Sequence, residues 1–280
     1  MTPVNPLLNS VQMAEFAALG VLRFDALVPD ELNEAAHREM AENVIARSPA
    51  GTPLSECFPS PSAIGEVIRL PEVQGIIESL VGTGCLYDHH AVHTRQPRQV
   101  TAQHLHGDAI IDTRMHFDIQ LVYFPHDVPR EMGGTMVLPG SHFRRINESD
   151  IARYQNLKGQ MKMEGKAGTL FALHHGIWHC GRRNQTDEIR YMFKLRLNPT
   201  VRQMRLWDTS DIDDESARGE TARADVDGFL GKQEPWFELA DGRLEIVNRI
   251  KFWRFLTGDN SFDTHYWLTR IENMPEVVVA

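Results

Sequence analysis

Between Leu86 and about Thr200 the chain is cut into short apolar runs by turn-forming residues, and that rhythm restricts the fold more than any other feature. The runs are QLVYF (120–124), TMVLP (135–139), GTLFAL (168–173) and IRYMFKLRL (189–197). Each is rich in β-branched or aromatic residues, and Gly, Pro, Asn or Asp separate them. Repeated short strands with turn signals between them predict an antiparallel barrel or sandwich. The flanks read differently. Residues 10–20 predict a helix from an N-cap at Ser10 to Gly20, VLRFDALV (21–28) a strand, and 30–47 a helix with an acidic first turn. A further helix over 61–82 is broken at Pro71. The polar stretch 211–228 reads as an exposed loop or lid, and 244–258 has the apolar spacing of a helix that packs on the sheet. The expectation is one domain over 1–280, mainly β with flanking helices: a helical part (1–85), a β-core (86–200) and a covering segment (201–280).

Charge narrows the partners. Asp and Glu number 38 against 29 Lys and Arg, a formal charge of −9 without a basic run. Such a chain suits neither nucleic acid nor an anionic membrane surface. No apolar stretch reaches membrane-spanning length, and the first residues lack the pattern of a signal peptide. The three cysteines, Cys57, Cys85 and Cys180, are scattered and odd in number, which fits a reducing compartment. The expectation is a cytoplasmic monomer or homodimer that acts on a small molecule. Of the 13 histidines, 11 lie between residues 89 and 179, and that crowding directs attention to metal chemistry.

Two clusters, QHLHGD (103–108) and MHFD (115–118), contain His-x-Asp. In extended chain, residues i and i+2 project to the same side, so either pair could hold one ion. An imidazole and a carboxylate suit iron, manganese or zinc better than calcium or magnesium. A later strand must supply a third ligand, and WHCGRRNQT (178–186) offers His179. Two histidines and a carboxylate on one face of an octahedron leave open positions, as non-haem Fe(II) oxygenases require. A 2-oxoglutarate co-substrate would need a planar cation for its distal carboxylate, and Arg190 stands eleven residues after His179.

Three stretches, HGD at 106–108, GGTMVLPGSH at 133–142 and WHCGRRNQTDEIR at 178–190, resemble the phytanoyl-CoA dioxygenase family of Fe(II)/2-oxoglutarate oxygenases. The likeness covers about 85–200 well and 11–50 loosely. It implies a double-stranded β-helix, a jelly-roll of the cupin type. It also separates the two clusters, because the family's carboxylate precedes its next strand by a loop of about eleven residues. From Asp108 that loop exists, whereas from Asp118 it vanishes. The resemblance therefore implies His106, Asp108 and His179 as iron ligands, Arg190 as the co-substrate anchor, and Phe124 as an aromatic facing it. His116 and Asp118 become a rim or strand-entry pair. The implied chemistry consumes 2-oxoglutarate and O2, releases succinate and CO2, and hydroxylates an unactivated C–H bond. Asp108 argues against halogenation, since halogenating relatives replace the carboxylate with a small residue. One position departs from the pattern. Many relatives carry Ser two residues after the distal His where this chain has Gly181, so Thr94 or Gln103 is expected to supply the missing donor. His104, on the parity of His106, is a candidate substrate contact, as are His116 and Lys194. His142, in the Pro-Gly-Ser-His turn, is expected to fix its hairpin. Competing readings are desaturation or ring formation at the same site, a metal-bound cupin-like hydrolase or isomerase, and a non-catalytic binding protein that keeps the fold.

Overall fold

A computed structural model describes residues 6–108, 115–144, 156–236 and 239–260. Among the described residues, eight strands form two antiparallel sheets. The larger has the order β1 (Val21–Phe24), β6 (Leu170–His174), β3 (Ile119–Tyr123), β8 (Arg190–Asn198), β2 (Leu86–Arg95). The smaller has the order β5 (Met161–Met163), β4 (Thr135–Leu138), β7 (Trp178–Gly181). This is the double-stranded β-helix that the resemblance implied.

The helices lie against the outer face of the large sheet. α1 (Ser10–Leu19) starts one residue earlier than the Ser10 cap implied. Asn9 is the cap, because its side chain accepts from Gln12 N while Gln12 Oε1 accepts from Asn9 N, a closed capping box. α2 (Asp30–Ala41) is shorter than the expected 30–47. Asn43 takes a left-handed conformation (φ 55°), which turns the chain before residues 44–47 can extend the helix. Pro71 divides the next helix as expected, ending α3 (Ala63–Arg69) and serving as the first residue of α4 (Pro71–Val81).

The stretch 211–228 is a correction. It is largely the helix Ala217–Gly231, capped by Ser216, rather than a loop. Its buried residues, Gly219, Ala222, Val226 and Leu230, recur every three to four positions. Two of the four are too small to register as an apolar stripe, so the helix period was hidden. It packs on α1, and the helix Leu239–Thr257 also packs on α1. That last helix matches the expected 244–258. Among the described residues, no helix is long and apolar enough to cross a membrane.

The Pro-Gly-Ser-His turn ties these layers together. Ser141 fixes the hairpin, donating from Oγ to Leu138 O (2.6 Å) and accepting from Trp178 N (2.9 Å). His142, expected in that role, is buried and instead directs Nε2 to Ala17 O on α1 (3.1 Å).

Candidate metal centre

The segment 103–106 runs beside β7 as an irregular extra strand. Gln103 N donates to Gly181 O (2.8 Å), His106 N donates to His179 O (3.0 Å), and His179 N donates to His106 O (2.7 Å). This pairing brings two imidazoles together, with ring centroids 4.5 Å apart and planes tilted by 49°. Asp108 completes the group. His106 Nε2 lies 3.8 Å from Asp108 Oδ1, and His179 Nε2 lies 3.8 Å from Asp108 Oδ2. One donor atom from each of the three falls within 4.8 Å of the others, and among the described residues no other His, Cys, Asp and Glu cluster of three does so.

Both histidines are held in a single tautomer. Nδ1 of His106 faces the carbonyl of His104 (2.8 Å), and Nδ1 of His179 faces the carbonyl of Ile177 (3.0 Å). A proton on each Nδ1 leaves each Nε2 lone pair turned toward Asp108, as a metal needs. Burial lowers the His179 pKa against the pull of Asp108, which favours the neutral, ligating form. Burial alone would raise the Asp108 carboxyl. The charges of His179 and Lys194 and the Gln120 hydrogen bond outweigh it and hold the group well below the usual carboxylate range. Gln120 Nε2 lies 2.5 Å from Asp108 Oδ2 and 2.9 Å from His175 Nδ1 and donates to both. Lys194 Nζ lies 3.3 Å from the same Asp108 oxygen. The donor set of two neutral imidazoles and an anionic carboxylate fits Fe(II) and leaves coordination positions free.

A narrow cavity leads from these residues into the space between the sheets. β8 alternates across it: Arg190, Met192 and Lys194 line the cavity, while Phe193, Leu195 and Leu197 join the core on the other side. Arg190, at the inner end, is 1% exposed. Its Nη1 donates to Gly133 O (2.7 Å), and its Nε has no partner. Burial and the nearby Arg95 push its pKa down to about 10. The backbone that presents this carbonyl needs a glycine. Gly133 has φ 72°, and a Cβ there would collide with Arg183 O. A buried guanidinium with unused donors fits a ligand carboxylate.

The other expected residues fall out as follows. Gln103 lines the cavity and accepts from Gly181 N through Oε1 (2.8 Å). Lys194 lines it as well. Thr94 does not. It pairs with Tyr191, whose side chain belongs to the helix-facing side of β8, and so projects away from Arg190. Phe124 lies beyond Val122 in a fully buried cluster with Phe171 and Met192, behind the cavity wall rather than in it. His104 is exposed and outside the lining, and its carbonyl faces His106 Nδ1. His116 is exposed and outside the lining. Asp118 stands at the entry of β3, one residue before Ile119, and is bound to Arg196 Nη2 (2.6 Å), so of the two expected places it takes the strand entry and not the rim. Sequence reasoning missed His93, Arg95 and Gln120, all in the lining. The signal was the alternation His89, Ala91, His93, Arg95 in β2, which sets polar residues on a face that would otherwise read as core.

The family model described as phytanoyl-CoA dioxygenase (PhyH) matches residues 25–192. Among curated proteins none matches. Similar solved structures include HygX from Streptomyces hygroscopicus with iron bound, at TM-score 0.54 and 16% identity, covering 76% of this chain and 95% of that one. EctD from S. alaskensis with 2-oxoglutarate and 5-hydroxyectoine has TM-score 0.52 and 17% identity, covering 71% and 78%. SnoK, a non-heme alpha ketoglutarate dependent carbocyclase from nogalamycin biosynthesis, has TM-score 0.50 and 17% identity, covering 68% and 83%.

Proposed function

Since the chain belongs to the phytanoyl-CoA dioxygenase family and is an Fe(II)/2-oxoglutarate-dependent oxygenase, we propose that it hydroxylates an unactivated C–H bond of a small metabolite or natural-product intermediate. His106 and His179 offer Nε2 to iron and Asp108 offers a carboxylate oxygen. Arg190 receives the distal carboxylate of 2-oxoglutarate. With iron and O2, decarboxylation of the co-substrate to succinate and CO2 supplies the oxidising power for the substrate C–H bond. The protein's own work is positioning and exclusion of water. Gln120 and Lys194 engage one oxygen of Asp108 and so steady the plane of the carboxylate. Val122, Leu173 and Met192 keep the wall between metal and Arg190 apolar. The observation that carries the reading is the convergence of two Nε2 atoms and an intact carboxylate at the mouth of a cavity that ends in an unpaired arginine.

Ring formation stays in view because a structural relative is named a carbocyclase. A panel of small metabolites, assayed for succinate release with Fe(II), 2-oxoglutarate and O2, tests the proposal. Mass spectrometry of the product separates the outcomes: a gain of one oxygen supports hydroxylation, and a loss of two hydrogens supports desaturation or cyclisation. Turnover that persists without O2 would overturn both in favour of a hydrolase or isomerase.

A further inference from the structure

Register sets Arg95 of β2 directly opposite Arg190 of β8, and both line the cavity that holds His179. Like charges at opposed cross-strand positions destabilise a sheet, and burial makes an uncompensated charge costlier. Among the described residues neither arginine has a carboxylate partner. The backbone nevertheless holds Arg95 firmly in place. Asn184 Nδ2 donates to Arg95 O (3.2 Å) and to Glu188 O (2.7 Å), while Asn184 Oδ1 accepts from Thr186 N (3.0 Å). The turn between β7 and β8 is thereby fastened to the strand that carries Arg95.

Gly181 supplies the room. A Cβ at this position would collide with the Arg95 guanidinium and lie 2.7 Å from Gln103 Oε1. Gln103 pins the same residue from both sides, accepting from Gly181 N and donating its backbone N–H to Gly181 O. The missing side chain at 181 is the volume that Arg95 fills, beside a second guanidinium that still has donors to give.

We propose that Arg95 is a second anchor for the distal carboxylate of 2-oxoglutarate, sharing that group with Arg190 across the space left by Gly181. The inference rests on the oxygenase reading above. A carboxylate has about four acceptor sites, enough for two guanidinium groups, and its charge relieves the repulsion between opposed arginines.

The test uses the full Fe(II)-loaded chain under anaerobic conditions and reads the metal-to-ligand charge-transfer band. Two probes are titrated: 2-oxoglutarate, and 2-oxobutyrate, which has the same chelating end and no distal carboxylate. Arg95→Met should weaken 2-oxoglutarate by about tenfold or more, the scale of one charge-assisted contact, and leave 2-oxobutyrate within about twofold. Arg95→Lys should recover part of the loss. Gly181→Ala, which adds a Cβ and no donor, should produce the same selective loss by displacing Arg95, and the double variant should be no weaker than Arg95→Met alone. If Gly181→Ala does not fold, the two Arg95 variants decide the matter. The proposal is overturned if Arg95→Met weakens both probes equally or neither, or if the two substitutions add. A wild-type chain that gives no band with 2-oxoglutarate would instead sink the oxygenase reading beneath it.

Discussion

Arg190 and Arg196 occupy the same face of β8, six residues apart, and the protein treats them in opposite ways. Arg196 lies between two carboxylates, with Nε 3.0 Å from Asp88 and Nη2 2.6 Å from Asp118. Arg190 is the more deeply buried and, among the described residues, has a backbone carbonyl but no carboxylate. A fold that can place two aspartates on one guanidinium leaves the other, costlier one uncompensated. The difference separates a charge that closes the structure from a charge kept for something that arrives. It makes opposite predictions for substitution. Arg190→Met should lower 2-oxoglutarate affinity by about 100-fold or more, the usual consequence of truncating one partner of a buried ion pair. It should not lower the thermal midpoint of the ligand-free chain, since the lost charge was unpaired. Unchanged affinity, read from the anaerobic charge-transfer band, or a collapse of the midpoint, would erase the contrast.

Arg196→Met should behave in the reverse manner. It takes the arginine away from two largely covered carboxylates, whose side chains are 25% and 18% exposed, and should cost about 1–3 kcal/mol of stability, with 2-oxoglutarate affinity within about twofold of wild type. Chemical denaturation of the two methionine variants side by side measures this. If Arg196→Met weakens co-substrate as much as Arg190→Met does, the whole inward face is a ligand surface and the distinction fails.

The sequence displayed the unpaired arginine more plainly than its surroundings. His106, Asp108, His179 and Arg190 were legible because their spacing repeats a family pattern that tolerates few alternatives. Most strands of the core were legible for a simpler reason: short runs between turn formers have one good interpretation. Arg95 and Gln120 were not legible, because each matters through what lies across the sheet, and cross-strand register is absent from a linear string. Thr94 went wrong for the same reason. It is one residue from Arg95, and in a strand one residue exchanges the cavity for the helix-facing side. The 217–231 helix was missed because Gly219 and Ala222 pack where larger side chains would have announced a buried face.

Lys194 stands between the two arginines on this face and gives an intermediate test. Its partner, Asp108, is one that a metal would share. Lys194→Met should therefore weaken metal binding by about tenfold, the lower end of what outer-shell substitutions cost. Co(II) titration followed by its d–d absorption measures this without turnover. An unchanged Co(II) affinity would mean that Gln120 alone holds the carboxylate, and would return Lys194 to the role of a substrate contact.

The smallest effect concerns what limits the ligand-free chain in acid. The arginines stay charged throughout, so the response should come from histidines buried in neutral form. His90 sits on the opposite side of the large sheet from the cavity. It is 5% exposed, accepts or donates at Nδ1 with Tyr87 Oη (2.9 Å), and stacks on Phe193. Burial, with help from Arg47 and His89, pushes its pKa down to about 4 from an ordinary value of 6.5. Burial does the same to His175, again to about 4. A group whose folded pKa lies below its unfolded value leaves the unfolded state holding more protons between the two. Stability then rises with pH across that window. It is complete above about pH 6.5 and drains as the pH falls toward about 4. Urea unfolding of the metal-free chain at several pH values should show that slope. His90→Phe should make it shallower by the contribution of one titrating group, whatever its effect on stability at neutral pH. A slope identical in wild type and variant would place the acid-sensitive group elsewhere, with the charged inward face the first place to look.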